Sequence, residues 1–338
     1  MSLNLPPDGS KSPSSEFTPL TRFLVRTTLF GLVMLSLYLV LILSSELLVF
    51  TDNPNFSLPL FKGENGFEWT RLREADTTKN VDVLIVGSSL GMSIDVRRFN
   101  EFGLRAFNLS SGSQSPIQTK YLLAKYLPQF QPKYLIWDFH AYTFSNYGIE
   151  SIVDIVSNCQ DCTAILPMIL QTENPLAINT YIKRVIFRPF EDPSFVEPRQ
   201  SEFVRYIAGG YMETNFKSSD AIMEMQSFRY DALDLQKKTF EDELKMLAER
   251  GIKLILVSSP KSFEYNSNFI NSEEWSKYAR HLVEIGLVED YLDFNELLPE
   301  FQHNTAFFID IAHLAAPGVS AYNDALITEL SNKMRSLN

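Results

Sequence analysis

The chain of 338 residues is acidic, with 30 Lys and Arg against 41 Asp and Glu and a formal charge of −11, so it lacks the basic footprint that nucleic-acid binding requires. Hydrophobic residues make up 45% of it, which is ample for a domain core and sets it apart from small stapled scaffolds. The only two cysteines, Cys159 and Cys162, form one C-x-x-C pair with no second pair and no nearby histidine to complete a zinc set, so no metal is expected. Two loop thiols and a small disulfide of an oxidising compartment both remain open readings of that pair.

Residues 1–22, rich in Pro and Ser, read as a disordered tail that cannot bury enough apolar surface to order itself. Residues 23–50 read as a transmembrane helix, because the 19 residues Thr27–Ser45 carry no charge and just span a hydrocarbon core of roughly 30 Å. The run is longer than the apolar part of a signal peptide and lacks a small-residue cleavage site, which favours a retained anchor. Lys11, Arg22 and Arg26 precede it, whereas Glu46 and Asp52 follow it with no base before Lys62. The positive-inside rule therefore places the N-terminus in the cytoplasm and the rest of the chain outside, in the periplasm or at the cell surface.

A polar connection over 51–79 leads to a domain over 80–338 in which short apolar runs alternate with helical patterns, as in a parallel sheet covered on both faces. Strands are expected at Val81–Val86, Arg105–Leu109, Tyr134–Phe139, Ile252–Val257 and Tyr291–Phe294. Helices are expected at Ile117–Leu127, Ala232–Arg250 with Gly251 as its stop, Trp275–Ile285, and from Pro317 to about Met334. Residues 141–229 break the rhythm and read as an insertion over the sheet, of the kind that forms the rim of an active site. The fold class is α/β: a three-layer, doubly wound sandwich with a mainly parallel sheet, preceded by one transmembrane helix.

Three short motifs carry chemistry. Gly87-Ser88-Ser89 closes the first strand, where a hydroxyl nucleophile can be presented against a turn; it matches no phosphate-binding loop and has no lysine. Asn108-Leu109-Ser110-Ser111-Gly112 follows the second strand. Asp310-Ile311-Ala312-His313 precedes the last helix, and an Asp three residues before a His can bond one ring nitrogen and leave the other free to accept a proton. His140, His281 and His303 lack such a context. Asp138-x-His140 is also the opening of a two-metal phosphoesterase motif, but the further Asp and His clusters that would share the metals are absent.

Together these motifs resemble the SGNH (GDSL) hydrolase superfamily over roughly residues 80–335, the insertion excepted. The resemblance implies Ser89 as nucleophile, with Ser88 standing where the motif has Asp, His313 as base and Asp310 as its orienter. It implies an oxyanion hole formed in part by the backbone N–H groups of Ser89 and Gly112. The superfamily's Gly-x-Asn-Asp block, whose Asn adds a third donor, has no counterpart: the chain reads Trp137-Asp138-Phe139-His140 after the third strand, leaving His140 as the candidate replacement. The layout of tail, span and outer domain is similar to the membrane-anchored branches that include teichoic-acid D-alanylation and alginate-acetylation proteins. That implies an esterase or O-acyltransferase acting through an acyl-enzyme on a cell-surface polysaccharide or related polymer, with a membrane-bound O-acyltransferase as a candidate partner and no cofactor. The alternative is a non-catalytic module of the same fold that binds surface glycan or a membrane partner.

Overall fold

A computed structural model of the chain describes residues 18–44, 67–190, 194–218 and 225–336. The chain divides into two compact units, residues 1–53 and 54–338. The first is represented by helix α1 (Pro19–Ser44), the one helix among the described residues that is long and apolar enough to cross a membrane. Its 26 residues extend about 39 Å, and its Leu, Val and Phe side chains are largely exposed. The helix starts at Pro19, so the end of the tail expected to be disordered is helical; residues 45–50 of the expected span lie outside the described residues.

In the second unit the first described element corrects the sequence reading. Helix α2 (Glu68–Thr77) occupies part of the expected polar connection, and Trp69, Leu72 and Ala75 are buried at helical spacing between its charged residues. The chain then runs through β1 (Val83–Val86), β2 (Ala106–Asn108), α3 (Pro116–Phe130) and β3 (Tyr134–Asp138). The insertion follows, with α4 (Ile149–Asn158), α5 (Leu166–Thr172), α6 (Pro175–Phe187) and a hairpin of β4 (Val204–Ile207) and β5 (Tyr211–Thr214). The layered part resumes with α7 (Asp234–Glu249), β6 (Lys253–Ser258), two helices α8 (Phe263–Asn268) and α9 (Ser272–Glu284), β7 (Asp290–Asp293), the short α10 (Phe294–Leu297) and α11 (Ala316–Ser336). Gly251, with φ +71°, terminates α7.

Five strands form one parallel sheet in the order β2-β1-β3-β6-β7, so the winding direction reverses at β1. Both faces are buried, which is why the strands read as continuous apolar runs. Along β1, β3 and β6, Leu84, Val86, Leu135, Trp137, Leu254 and Leu256 pack with residues of α3, α7 and α9. The alternate residues Val83, Ile85, Tyr134, Ile136, Ile255 and Val257 pack with Tyr322, Leu326 and Leu330 of α11. This is a three-layer α/β sandwich.

The insertion is a packed part of the domain. Cys159 and Cys162, at the end of α4, are joined by a disulfide. The β4–β5 hairpin is pinned at its tip: Asn108 N–H donates to Gly209 O at 2.7 Å, Arg71 Nε donates to Gly210 O at 3.1 Å, and Glu74 accepts from Gly209 N–H at 2.8 Å and from Tyr206 Oη at 2.6 Å. Gly209 and Gly210 have φ of +95° and +83°, and a side chain at Gly210 would overlap Asn108 O. The pinned tip sets where β5 points, toward the carboxyl end of β1.

Candidate active site

Ligands of a parallel sheet bind beyond the carboxyl ends of its strands at the point where the winding reverses, here the end of β1. That end is unusually tight. Gly87 has φ +143°, and a Cβ there would stand 2.5 Å from Asp138 Cβ at the end of β3. The close approach lets Asp138 Oδ2 accept from Ser88 N–H at 3.1 Å and from Ser88 Oγ at 2.5 Å. Ser88 is 1% exposed and its hydroxyl is committed to Asp138. The half-buried Ser89 is therefore the residue of the pair that is presented outward. Asn108, at the end of β2, holds the following turn by donating from Nδ2 to Gly91 O at 2.9 Å and Ile94 O at 3.2 Å.

From the other end of the chain, the loop before α11 brings His313 to this turn: Ser89 Oγ and His313 Nε2 are 2.8 Å apart. Asp310 shapes that loop itself, its Oδ1 accepting from the backbone N–H groups of Ala312 at 2.8 Å and His313 at 2.7 Å. The same carboxylate meets His313 Nδ1, at 2.8 Å from Oδ2 and 3.1 Å from Oδ1. Burial works to raise the Asp310 carboxyl, but the hydrogen bond and charge of His313 and the two backbone donors outweigh it and hold it at about 2. An ionised carboxylate can only accept, so Nδ1 carries the proton in the neutral ring and Nε2 accepts from Ser89 Oγ. The hydrogen bond that Nδ1–H donates to Asp310, against burial and with help from the charges of Asp310, Glu150 and Asp138, raises His313 above its usual 6.5.

Among the described residues, no protein acceptor pairs with the backbone N–H of Ser89 or of Gly112. Gly112 lies against Glu150, whose Oε2 accepts from Ser113 Oγ at 2.8 Å. His140, the candidate third donor, is 8% exposed, and its Nε2 is 3.0 Å from Tyr265 Oη. Burial pushes its pKa well below 6.5, with the Lys261 and His313 charges adding to the effect, so its ring is neutral.

Two cavities flank the loop after β6. One, of about 240 Å³, opens on Ser89 and His313 and is walled by Leu90, Met92, Met212, Phe216, Leu314 and Val319. The other, of about 280 Å³, is lined by His140, Lys261, Asn266, Asn295, Tyr291 and Trp275 among others. Lys261 is buried there with its ammonium donating to Ser259 O at 3.0 Å; burial lowers its pKa and the Asp138 and Asp293 charges oppose that. Sequence reading missed the Ser88–Asp138 pair, Lys261 and the Met212–Phe216 wall. Ser88 and Asp138 each lie in a motif noted in the sequence, but their pairing, like the places of Lys261, Met212 and Phe216, is set only by contact across the fold. Among the described residues no group of three or more His, Cys, Asp or Glu is arranged to hold a metal ion.

No family model and no curated protein matches the chain. Among solved structures, a provisionally assigned acylhydrolase from Bacteroides fragilis NCTC 9343 is 11% identical, with a TM-score of 0.39 over 78% of this chain and 94% of that one. A GDSL-like lipase from Bacteroides thetaiotaomicron VPI-5482 is also 11% identical, with a TM-score of 0.36 over 78% of this chain and 98% of that one.

Proposed function

We propose that the chain is a serine esterase or O-acyltransferase of the SGNH type, with Ser89 as nucleophile, His313 as general base and Asp310 as its orienter. The observation that carries this is the unbroken hydrogen-bonded line from Ser89 Oγ through His313 to Asp310, between residues 224 apart in sequence. Ser89 Oγ attacks the ester carbonyl as its proton passes to His313 Nε2, and the oxyanion is met by the N–H groups of Ser89 and Gly112. The proton then goes from Nε2 to the departing alcohol, leaving the acyl group on Ser89. Water entering the same path releases the acid; a sugar hydroxyl of a surface polymer takes the acyl group instead. Asp310 stabilises the imidazolium that forms, and Glu150 adds a second negative charge on that side.

The anchored, extracytoplasmic placement belongs to the same proposal. It is supported by the length and apolar surface of α1, by the basic residues before the span, and by the Cys159–Cys162 disulfide, a bond that persists in oxidising compartments. A membrane-bound O-acyltransferase would be a natural supplier of acyl groups in that setting. The second reading, a module without catalysis that binds surface glycan or a membrane partner, is favoured by one observation: Trp137-Asp138-Phe139-His140 has no Asn to act as a third oxyanion donor, and Nε2 of His140 is engaged with Tyr265.

A fluorophosphonate probe separates the two readings. Wild-type protein should be labelled and Ser89→Ala should not, because only an activated serine hydroxyl reacts; unlabelled, folded wild type would overturn the activated serine and leave the binding module as the reading to test.

The pH profile offers a further check. A protonated His313 cannot accept the Ser89 proton, so kcat/KM should fall as pH drops through a value above 6.5. In Asp310→Asn the hydrogen bond and charge that raise His313 are gone, so the acid limb should move to lower pH while the plateau drops; a limb that stays in place would remove Asp310 from its assigned role.

A further inference from the structure

We infer that the acyl group carried by Ser89 is a neutral aliphatic chain of medium length, seated in the cavity that the inserted hairpin completes. This deepens the proposed function and rests on it.

The cavity that opens on Ser89 and His313 has apolar walls from three separate places: Leu90 and Met92 after β1, Met212 of β5 with Phe216 beyond it, and Ile309, Leu314 and Val319 around the start of α11. Phe216 is tied to that last wall, since its carbonyl accepts from Ala316 N–H at 3.1 Å. Among the described residues, the only charged lining groups are Asp310 and His313, which are engaged with each other. Two of the lining hydroxyls are also spent inside the protein, Ser93 Oγ donating to Leu90 O at 2.6 Å and Ser259 Oγ to Tyr322 Oη at 3.3 Å.

An aminoacyl group would bring an ammonium into a space whose one carboxylate, Asp310, is already engaged by His313 and two backbone N–H groups, which is unfavourable. An acetyl group would leave most of the wall uncovered. A cavity of about 240 Å³ holds roughly eight groups of water or methylene size at about 30 Å³ each, so a chain of roughly six to eight carbons fills it.

The test uses the full-length chain in nanodiscs and alkylphosphonofluoridates bearing methyl, butyl, hexyl or dodecyl chains, with a 6-aminohexyl analogue. Each reaction forms the Ser89 Oγ–P bond, expels fluoride and passes the Oγ proton to His313, so it reads the acyl pocket without any acceptor. The second-order rate constant for modification of Ser89, followed by mass spectrometry and normalised to each probe's hydrolysis in buffer, should rise about fourfold per methylene as far as hexyl. It should level or fall at dodecyl and be at least tenfold lower for the aminohexyl probe than for hexyl. Met212→Trp should collapse the hexyl-to-methyl ratio towards one, and Phe216→Ala should move the optimum to longer chains. A hexyl rate no greater than the methyl rate, or an aminohexyl rate equal to hexyl, overturns the inference while the acyl chemistry stands. No modification of Ser89 by any probe overturns the proposed function and this inference together.

Discussion

Ser89→Ala and His313→Ala should each lower turnover of a soluble acyl ester by about 10⁴- to 10⁶-fold, and the double variant should be no slower than either alone. The reason is geometric. Ser89 Oγ is a weak nucleophile until Nε2 of His313, 2.8 Å away, takes its proton, and a base without its serine has nothing to deprotonate. On the proposed mechanism, removing either member removes the same step and leaves only polarisation by the backbone N–H groups proposed as the oxyanion hole, which the substitutions keep. Steady-state kinetics of the four proteins, with far-ultraviolet circular dichroism to show that each is folded, checks this. Additive losses in the double variant, or more than a tenth of wild-type activity in Ser89→Ala, would place the chemistry elsewhere.

Gly87→Ala should be the most destabilising single-methyl change at the end of β1, lowering stability by about 2–6 kcal/mol from backbone strain and overpacking together. That is a large part of the 5–15 kcal/mol typical of a folded domain. The new Cβ would sit 2.5 Å from Asp138 Cβ and 3.1 Å from Asp138 backbone atoms, in a backbone conformation of φ +143° that side chains rarely adopt. Nothing there is a flexible side-chain end that could move aside, because Asp138 is held by Ser88 and paired within the central strand. Gly251→Ala is the natural comparison. Gly251 also has a positive φ, of +71°, but nothing lies within 4 Å of its added Cβ, so it should cost only the conformational part, about 1–2 kcal/mol. Urea unfolding followed by tryptophan fluorescence would show the difference as separated midpoints; equal midpoints would mean that the β1–β3 approach relaxes.

The layered frame was legible because its physics is local. A strand buried on both faces must be apolar at every position, so β1, β3 and β6 stand out as runs of Val, Ile and Leu, and the intervening helices show their own period. The apolar N-terminal helix is legible for a similar reason, since Thr27–Ser45 is 19 consecutive uncharged and mostly apolar residues, long and apolar enough to cross a bilayer. Helix α2 was not legible: Trp69, Leu72 and Ala75 form too short a stripe to stand out among Glu68, Arg71, Arg73 and Glu74.

For the site, the division falls between chemistry and geometry. Local spacing pairs Asp310 with His313, three residues apart, and the resemblance to the SGNH pattern adds Ser89 as the expected nucleophile; that Ser89 and not Ser88 faces His313 is seen only in the structure. The roles of Ser88 and Asp138, the commitment of His140 to Tyr265, and the apolar wall supplied by Met212 and Phe216 were decided only in the tertiary structure. Each depends on the approach of segments separated by dozens to hundreds of residues, set by sheet order and by a hairpin pinned by Asn108, Arg71 and Glu74, and contacts between such distant positions leave no local spacing in the sequence to read.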